Sequence, residues 1–550
     1  MKKNKYKILI ISALAILLST GFVLSRGDVF FDIAKNIDIF TKVYKEVAFG
    51  YVDEINSEEF MRAGIKGMLS TLDPYTVFID EKKQEDIELI TNGKYGGIGV
   101  TIGIRDDKVT LVEILHGYSA QKQGLQIGDF LMEVNGFKIT PKNIDEVSSL
   151  VKGEPGTFVN LKILRPGNKD TLHFELLREE IKLKNVSYYG FYPKESGIAY
   201  IKLISFSRSA GEEVKNAILE LKKKHSIDGL VLDLRNNPGG LLDVAVDIAN
   251  KFLNKGQLVV STRGKDSANF KQYFCTQEPL LKNTPLVVLV NEGSASASEI
   301  VAGAIQDHDR GIILGQKSFG KGLVQTIVPL SHNTSLKITT SKYFTPSGRC
   351  IQKIDYAKES KVIASIEQKN TLLFNTDNNR QVFAAGGITP DTLVLDKEDP
   401  EVVLDMLAKG IFFKFTNYLL ESKQVPSLES ITDKELIKLF TEYLISEKYG
   451  YVSPEEKRVD ELLEMAKKHK HYADISNKIS AIKADFKSTM THDITQNMGD
   501  VLTEIKIEIE SRARGSEGRL VMSLKEDDQF LKALSLVQNE NGYKNLIRKR

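Results

Sequence analysis

The chain contains no tryptophan, and only two of its 550 residues are cysteine. The missing tryptophan decides nothing about function. Cys275 and Cys350 stand in neither a C-x-x-C pair nor a metal-ligand spacing, which leaves two unpaired thiols as the default. An excess of one charge is lacking as well. A formal net charge of +2, with no basic block clear of acidic neighbours, argues against a nucleic-acid binder. Histidine is scarce: of eight, only His469 and His471 lie close together. Their lysine-rich surroundings read as a solvated helix face rather than a metal site. Proline stops at Pro454, and beyond Pro400 the chain reads as charged and mostly helical.

What is present is ordinary in bulk, with 41% hydrophobic and 27% charged residues, and the length allows two to four domains. The first residues are the exception. Lys2, Lys3, Lys5 and Lys7 precede ILIISALAILLSTGFVLS, residues 8–25, which carries no charge. Such a run sits at the lower end of what spans a bilayer and exceeds a usual signal h-region. No clear A-x-A site follows, so an uncleaved anchor is favoured over a cleaved signal peptide. The lysines would stay in the cytoplasm, and the rest of the protein would be exported.

Five segments follow from texture: a signal anchor or signal peptide over 1–27, a helical region over 28–91, a β-rich module over 92–180, an α/β core over 181–400 and a helical region over 401–550. In the module, GGIGVTIGI, KVTLVEIL, GDFLMEVNG and TFVNLKILR read as strands, with YSAQKQGL as a short helix between them. In the core, IAYIKLI, GLVLDL, QLVVST and PLVVLV alternate with helical patterns, which predicts a mostly parallel sheet flanked by helices. GIILG, LVQTIVPL and SLKITTSKYF are expected to extend that sheet, while residues 353–380 are polar and read as an insertion.

NEGSASASEIVAGAIQD, residues 291–307, places three serines where an apolar strand gives way to a helix. A helix N-terminus offers unpaired N–H groups and the positive end of the dipole, a good place to hold an oxyanion. The motif is not G-x-S-x-G, and no histidine appears before His308. Ser296-Ala-Ser-Glu299 is also a capping box, so cap and nucleophile both stand as readings. KSFGKGLVQ, residues 317–325, supplies a base: Lys321 lies between two glycines in an apolar setting. To act near pH 7 an amine must fall about 3 pH units from about 10.4, which burial can supply. Gln325 could hold that amine without adding charge if the chain curls around Gly322. LDLRNNPGG, residues 232–240, ends a strand in a turn that exposes backbone N–H groups.

RNNPGG, NEGSASASEIVAGAIQD, KSFGKGLVQ and KYFTPSGR, in that order, resemble the carboxyl-terminal processing peptidases, the tail-specific serine proteases. The β-rich module resembles the PDZ domain that these enzymes insert before the catalytic core. LDPYTVFI and GGITPD belong to the same likeness, which covers about residues 28–400. The resemblance implies Ser296 as nucleophile, Lys321 as general base, Gln325 as its support, and the N–H groups of Gly240 and Ala297 as oxyanion donors. It implies that Gly97, Ile98, Gly99 and Val100 receive a peptide C-terminus by β-augmentation, and that Arg165 couples that event to the active site. His308 is a bystander.

The expected protein is thus a Ser–Lys endopeptidase of the cell envelope, anchored by residues 8–25 with its bulk on the periplasmic side. It would act through an acyl-enzyme on proteins with free apolar C-termini and require no metal or organic cofactor. The rivals are a catalytically inactive PDZ scaffold and a different acyl-transfer enzyme on a related sheet. No motif matches residues 401–550, which could dock an adaptor, mediate self-association or cap the core.

Overall fold

A computed structural model describes residues 30–81, 84–105, 107–265, 270–354, 372–384, 386–421, 431–466 and 493–548, with positions 356, 468, 478, 479 and 482 besides. Segment 8–25 and the pair His469 and His471 lie outside the described residues. Among the described residues no helix is long and apolar enough to cross a membrane. The chain divides into two compact units. The smaller takes the described residues within 1–81, 325–339 and 356–363, and the larger takes the rest.

In the smaller unit, residues 30–50 are helical, and a second helix, Ser57–Leu69, is capped by the Asn56 side chain. Asp73 then accepts from the N–H groups of Tyr75 and Thr76, both at 2.9 Å. This side-chain turn ends the helical pattern and launches a strand, Val77–Ile79. The strand lies antiparallel to residues 335–337, so the expectation of helices alone over 28–91 is corrected.

The larger unit is organised by one six-stranded sheet. Its strands, in both sheet and chain order, are β1 (Val186–Phe191), β2 (Ile198–Leu203), β3 (Gly229–Asp233), β4 (Leu286–Val290), β5 (Ile312–Gly315) and β6 (Thr392–Leu393). β1 and β2 pair antiparallel, and every later neighbour pairs parallel. GLVLD and LVVLV are buried at every position, as strands covered on both faces must be. Helices α1 (Ala210–Lys224), α2 (Leu242–Ala249) and α3 (Ala297–Asp307) cover one face through Val214, Ile218, Ile248 and Val301. Along α1, Glu212 and Glu213 open the helix and three lysines close it, in the sense its dipole favours.

The sheet's other face is covered from far along the chain. Helix α4 (Met498–Ser523) leads into α5 (Asp528–Gln538) and α6 (Glu540–Ile547). Phe530, Ala533, Val537 and Tyr543 pack on Tyr200, Val231, Val287 and Leu289. Of the three roles open to residues 401–550, capping the core is the one the structure displays.

A mostly parallel sheet is not what the chain forms as a whole, where pairing is mostly antiparallel. Leu258–Gly264 was expected in the parallel sheet. It pairs antiparallel with Lys271–Phe274 and with residues 341–344 of strand Ser335–Phe344. Parallel neighbours need a crossover of a dozen or more residues, and the link from Gly264 to Lys271 is too short for one. The polar stretch 353–380, where described, includes strand Leu373–Asn375, paired antiparallel with Gln381–Phe383.

The β-rich module is an antiparallel sheet of Val100–Arg105, Lys108–Ile114, Phe130–Val134, Phe158–Leu164 and Leu172–Leu177 around its own core. Helix Ile144–Val151, which the sequence reading omitted, closes one side. Arg178 satisfies its last carbonyls, donating to Leu150 at 2.8 Å and Val151 at 3.1 Å.

Phe530 is fully buried, with its ring edge-on to Tyr192 and Tyr200 at 4.9 and 5.1 Å between centroids. Phe530→Ala should therefore cost about 3–5 kcal/mol, read as a lowered urea midpoint. Leu531→Ala, on the exposed side of the same helix, should change the midpoint little.

Candidate active site

The three serines of SASAS have different fates. Ser294 donates to the Leu234 carbonyl at 2.8 Å and Ser298 to the Asn237 carbonyl at 2.9 Å. Both are completely buried. They stitch the turn after β4 to the loop after β3. Ser296, between them, is only half-buried and stands at the N-cap of α3 with φ of +56°. A non-glycine residue in that region is strained, and here the two buried serines hold it in place.

The loop after β3 is fixed with equal care. Asn236 and Asn291 exchange hydrogen bonds of 2.8 and 2.9 Å. The Asn237 side chain donates to the Leu203 carbonyl and accepts from the Gly239 N–H, while its own carbonyl receives the Ala295 N–H. A Cβ on Gly239, at φ of +95°, would lie 2.6 Å from the Ala295 carbonyl and 2.9 Å from Ser296 Cβ. Glycine is required there by both conformation and space. Gly240 bridges to Phe206 in parallel fashion through the Gly239 carbonyl and the Leu241 N–H. Its own N–H is thereby turned to the opposite side. Ala297 opens α3, where an N–H has no intrahelical partner.

Glu299 is where the pieces meet. Its carboxylate is completely buried and accepts four hydrogen bonds. Oε1 takes the Ser318 hydroxyl at 2.6 Å and the Gly320 N–H at 2.7 Å. Oε2 takes the Ser296 N–H at 2.8 Å and the Lys321 N–H at 2.9 Å. The bond to Ser296 is the one a capping box predicts. The other three carry the helix cap across to the lysine loop, which sequence spacing did not suggest. Burial pushes the carboxyl up to about 7, against the pull of its four donors.

Lys321 is half-buried and sits in a tightly gripped turn. Gly320, at φ of +89°, has no room for a Cβ, which would meet Gly387 N at 2.9 Å. The Gly322 N–H donates to Gln352 Oε1 at 2.6 Å, and its carbonyl accepts from the Tyr343 N–H. Ser318 receives the Ile388 N–H at 2.7 Å, which gives GGITPD a structural task. Fully buried Tyr343 also donates its hydroxyl to the Ser296 carbonyl at 3.3 Å. Gln325 lies on strand Leu323–Pro329 and belongs to the smaller unit, where its amide donates to Thr339. His308 has both ring nitrogens engaged, with Asp377 and with the Leu258 carbonyl.

In the β-rich module, Gly97, Ile98, Gly99 and Val100 all line a cavity of about 50 Å³. Its far wall is Ser148 and Val151 of helix Ile144–Val151, followed by Lys152. Strand Val100–Arg105 is an edge strand of its sheet, open to pairing with an extended segment. Arg165 lies elsewhere, forked onto Asp129 at 2.8 Å through two nitrogens.

An accessible serine at a strained helix N-cap, a lysine whose backbone N–H is tied to the same carboxylate, and an open strand edge beside a cavity are features that suit a serine-type peptidase. Residues 197–362 match peptidase family S41, residues 112–165 a PDZ domain, and residues 402–537 the C-terminal helical domain of probable PDZ-proteases. The chain is 37% identical over 338 residues to the carboxy-terminal-processing protease of Bartonella bacilliformis, covering 61% of this chain and 77% of the relative. It is 35% identical over 322 residues to the carboxy-terminal processing protease CtpB of Bacillus subtilis, covering 58% and 66%. Among solved structures, the photosystem II D1 C-terminal processing protease is 28% identical, with coverage of 66% and 93% and a TM-score of 0.34. The chain belongs to the carboxy-terminal processing protease family.

Glu299→Gln replaces an all-acceptor group by one carrying donors and so orphans buried N–H groups. At about 1–3 kcal/mol for each orphaned group, kcat/KM should fall on the order of 10²-fold in a peptide-cleavage assay. The same group sets a stability slope. Its folded value, about 7, lies above its ordinary 4.5, so the folded state holds the extra proton between those values. Its contribution to stability is therefore lost as pH rises from 4.5 to 7, by roughly 3 kcal/mol in total. Urea unfolding across that range should show this slope in wild type and lack it in Glu299→Gln.

Proposed function

We propose that the chain is an exported endopeptidase of Ser–Lys type that selects proteins by their free apolar C-termini. The observation that carries this reading is the shared carboxylate oxygen: Glu299 Oε2 binds the backbone N–H of both Ser296 and Lys321. Two residues 25 positions apart are thereby tied together, and of the three clustered serines only Ser296 is accessible.

In this mechanism Ser296 Oγ attacks the scissile carbonyl and its proton passes to Lys321 Nζ. The oxyanion is received by the N–H groups of Ala297 and Gly240. Collapse of the tetrahedral adduct returns the proton to the leaving amine and leaves an acyl-enzyme. Water, deprotonated by the same lysine, then attacks the acyl carbonyl. The bond to Ser296 Oγ breaks, the lysine returns the proton to that oxygen, and the product leaves as a carboxylic acid. The groove at Gly97–Val100 takes the substrate's terminal carboxylate on backbone amides while the tail pairs with the open strand edge. The uncharged run 8–25 behind four lysines supports export and retention at the membrane, with the catalytic residues on the periplasmic side.

Ser296→Ala and Lys321→Ala should each lower kcat/KM by about 10³-fold or more on an unstructured protein with an apolar C-terminus. C-terminal amidation of that substrate should slow the wild type about tenfold. Cleavage by Lys321→Ala at the wild-type rate would refute the Ser–Lys assignment. Binding without any turnover would leave a PDZ scaffold.

A further inference from the structure

The loop that carries Gly240 begins at Arg235, and the charge around Arg235 is balanced from the C-terminal region. Asp233, at the end of β3, is completely buried. It accepts from Arg235 Nη2 at 2.7 Å, from the Tyr200 hydroxyl at 2.7 Å, and pairs with Lys202 Nζ at 3.0 Å. Lys202 also donates to the Arg235 carbonyl at 3.1 Å, so the cluster grips the main chain of the loop itself. On the core side, then, two cations face a single buried carboxylate. A buried cluster with an uncompensated charge is costly.

Asp527 supplies the missing negative charge. Its Oδ2 lies 2.7 Å from Arg235 Nη2, and its Oδ1 accepts from Nη1 at 3.0 Å. Gln529, almost fully buried, adds its Oε1 to Nη1 at 3.1 Å. The Gln529 amide nitrogen is held by the Val394 carbonyl and Asp396, which fixes the oxygen toward the arginine. The guanidinium is therefore clamped between the sheet and the first turn of α5. Directly after it comes Asn236, at φ of +59°, and then the hydrogen-bonded run that ends at Gly240.

We infer that Asp527, assisted by Gln529, is a positioning residue for the oxyanion loop 236–240, so that the C-terminal helical region completes the catalytic apparatus. The inference rests on the reading of Gly240 as an oxyanion donor. Asp527 touches no substrate and acts through Arg235. It also caps α5, accepting the Phe530 N–H at 2.9 Å, and the test must separate the two roles. Asparagine and serine both cap helices well, yet neither carries the charge.

The experiment compares full-length wild type with Asp527→Asn, Asp527→Ser and Ser296→Ala. It measures kcat and KM on a cleaved peptide, affinity for a peptide boronic acid that forms a tetrahedral adduct, affinity for a C-terminal peptide at the groove, and the melting temperature. The expected result is a fall of about tenfold in kcat for both Asp527 variants, with boronate affinity falling by a similar factor. KM and groove-peptide affinity should stay near wild type, while the melting temperature falls alike in both variants because Arg235 is left without its counter-charge. Wild-type kcat and boronate affinity in both variants would overturn the inference and leave Asp527 as a helix cap. Equal losses in boronate and groove-peptide affinity would overturn it in favour of a general structural role. Cleavage by Ser296→Ala at the wild-type rate would instead remove the active-site reading beneath it, whatever Asp527 does.

Discussion

One buried carboxylate organises the active site. Glu299 accepts hydrogen bonds from the serine turn, the lysine loop and Ser318, and Ser318 in turn receives the N–H of Ile388. A carboxylate is the only common side chain that offers acceptors alone, and four converging donors call for one. Its cost is desolvation, which burial imposes and the donors offset only in part. Geometry is what that cost secures: two segments are referred directly to one pair of oxygens and a third through Ser318, so the proposed nucleophile and base keep their backbones in a constant relation.

The second constraint is backbone strain at Ser296. A left-handed conformation on a serine persists only where the surroundings over-determine it. Ser294 and Ser298 do that from either side, each bonded to a carbonyl of the neighbouring loop. Gly239 completes the arrangement by allowing the two loops to come together without a side chain between them. Both loops leave the C-terminal ends of adjacent parallel strands, where open α/β sheets place their sites. The parallel sheet is small, but it is the part that positions the chemistry.

Much of this was legible in the sequence. The turn at residues 291–307, the glycine-flanked lysine and the RNNPGG loop were visible as motifs, and four of the module's five strands were read from β-rich runs between glycines, Leu172–Leu177 being missed. The sheet direction was not, because apolar runs such as QLVVST carry no mark of whether their neighbour runs parallel or antiparallel. Loop length settles that, and the short link after Gly264 was the available clue. Helix Ile144–Val151 was missed although Ile144, Val147, Leu150 and Val151 keep helical spacing. Glu299 looked like a capping residue and is one, but its remaining bonds depend on folding of segments about twenty residues away. Asp527 and Arg235 lie almost 300 positions apart, and no local pattern connects them.

The helix that shields the sheet's second face has a consequence for the order of events in the protein's life. Tyr200, Val231, Val287 and Leu289 are translated well before Phe530 and Val537, the residues that cover them. A nascent or prematurely terminated chain thus carries its serine and lysine on a sheet with one apolar face bare. Contacts of such long sequence separation form late and slowly. The sheet's second face is therefore covered only after synthesis of the helical region, and until then its hydrophobic strands are exposed to quality control.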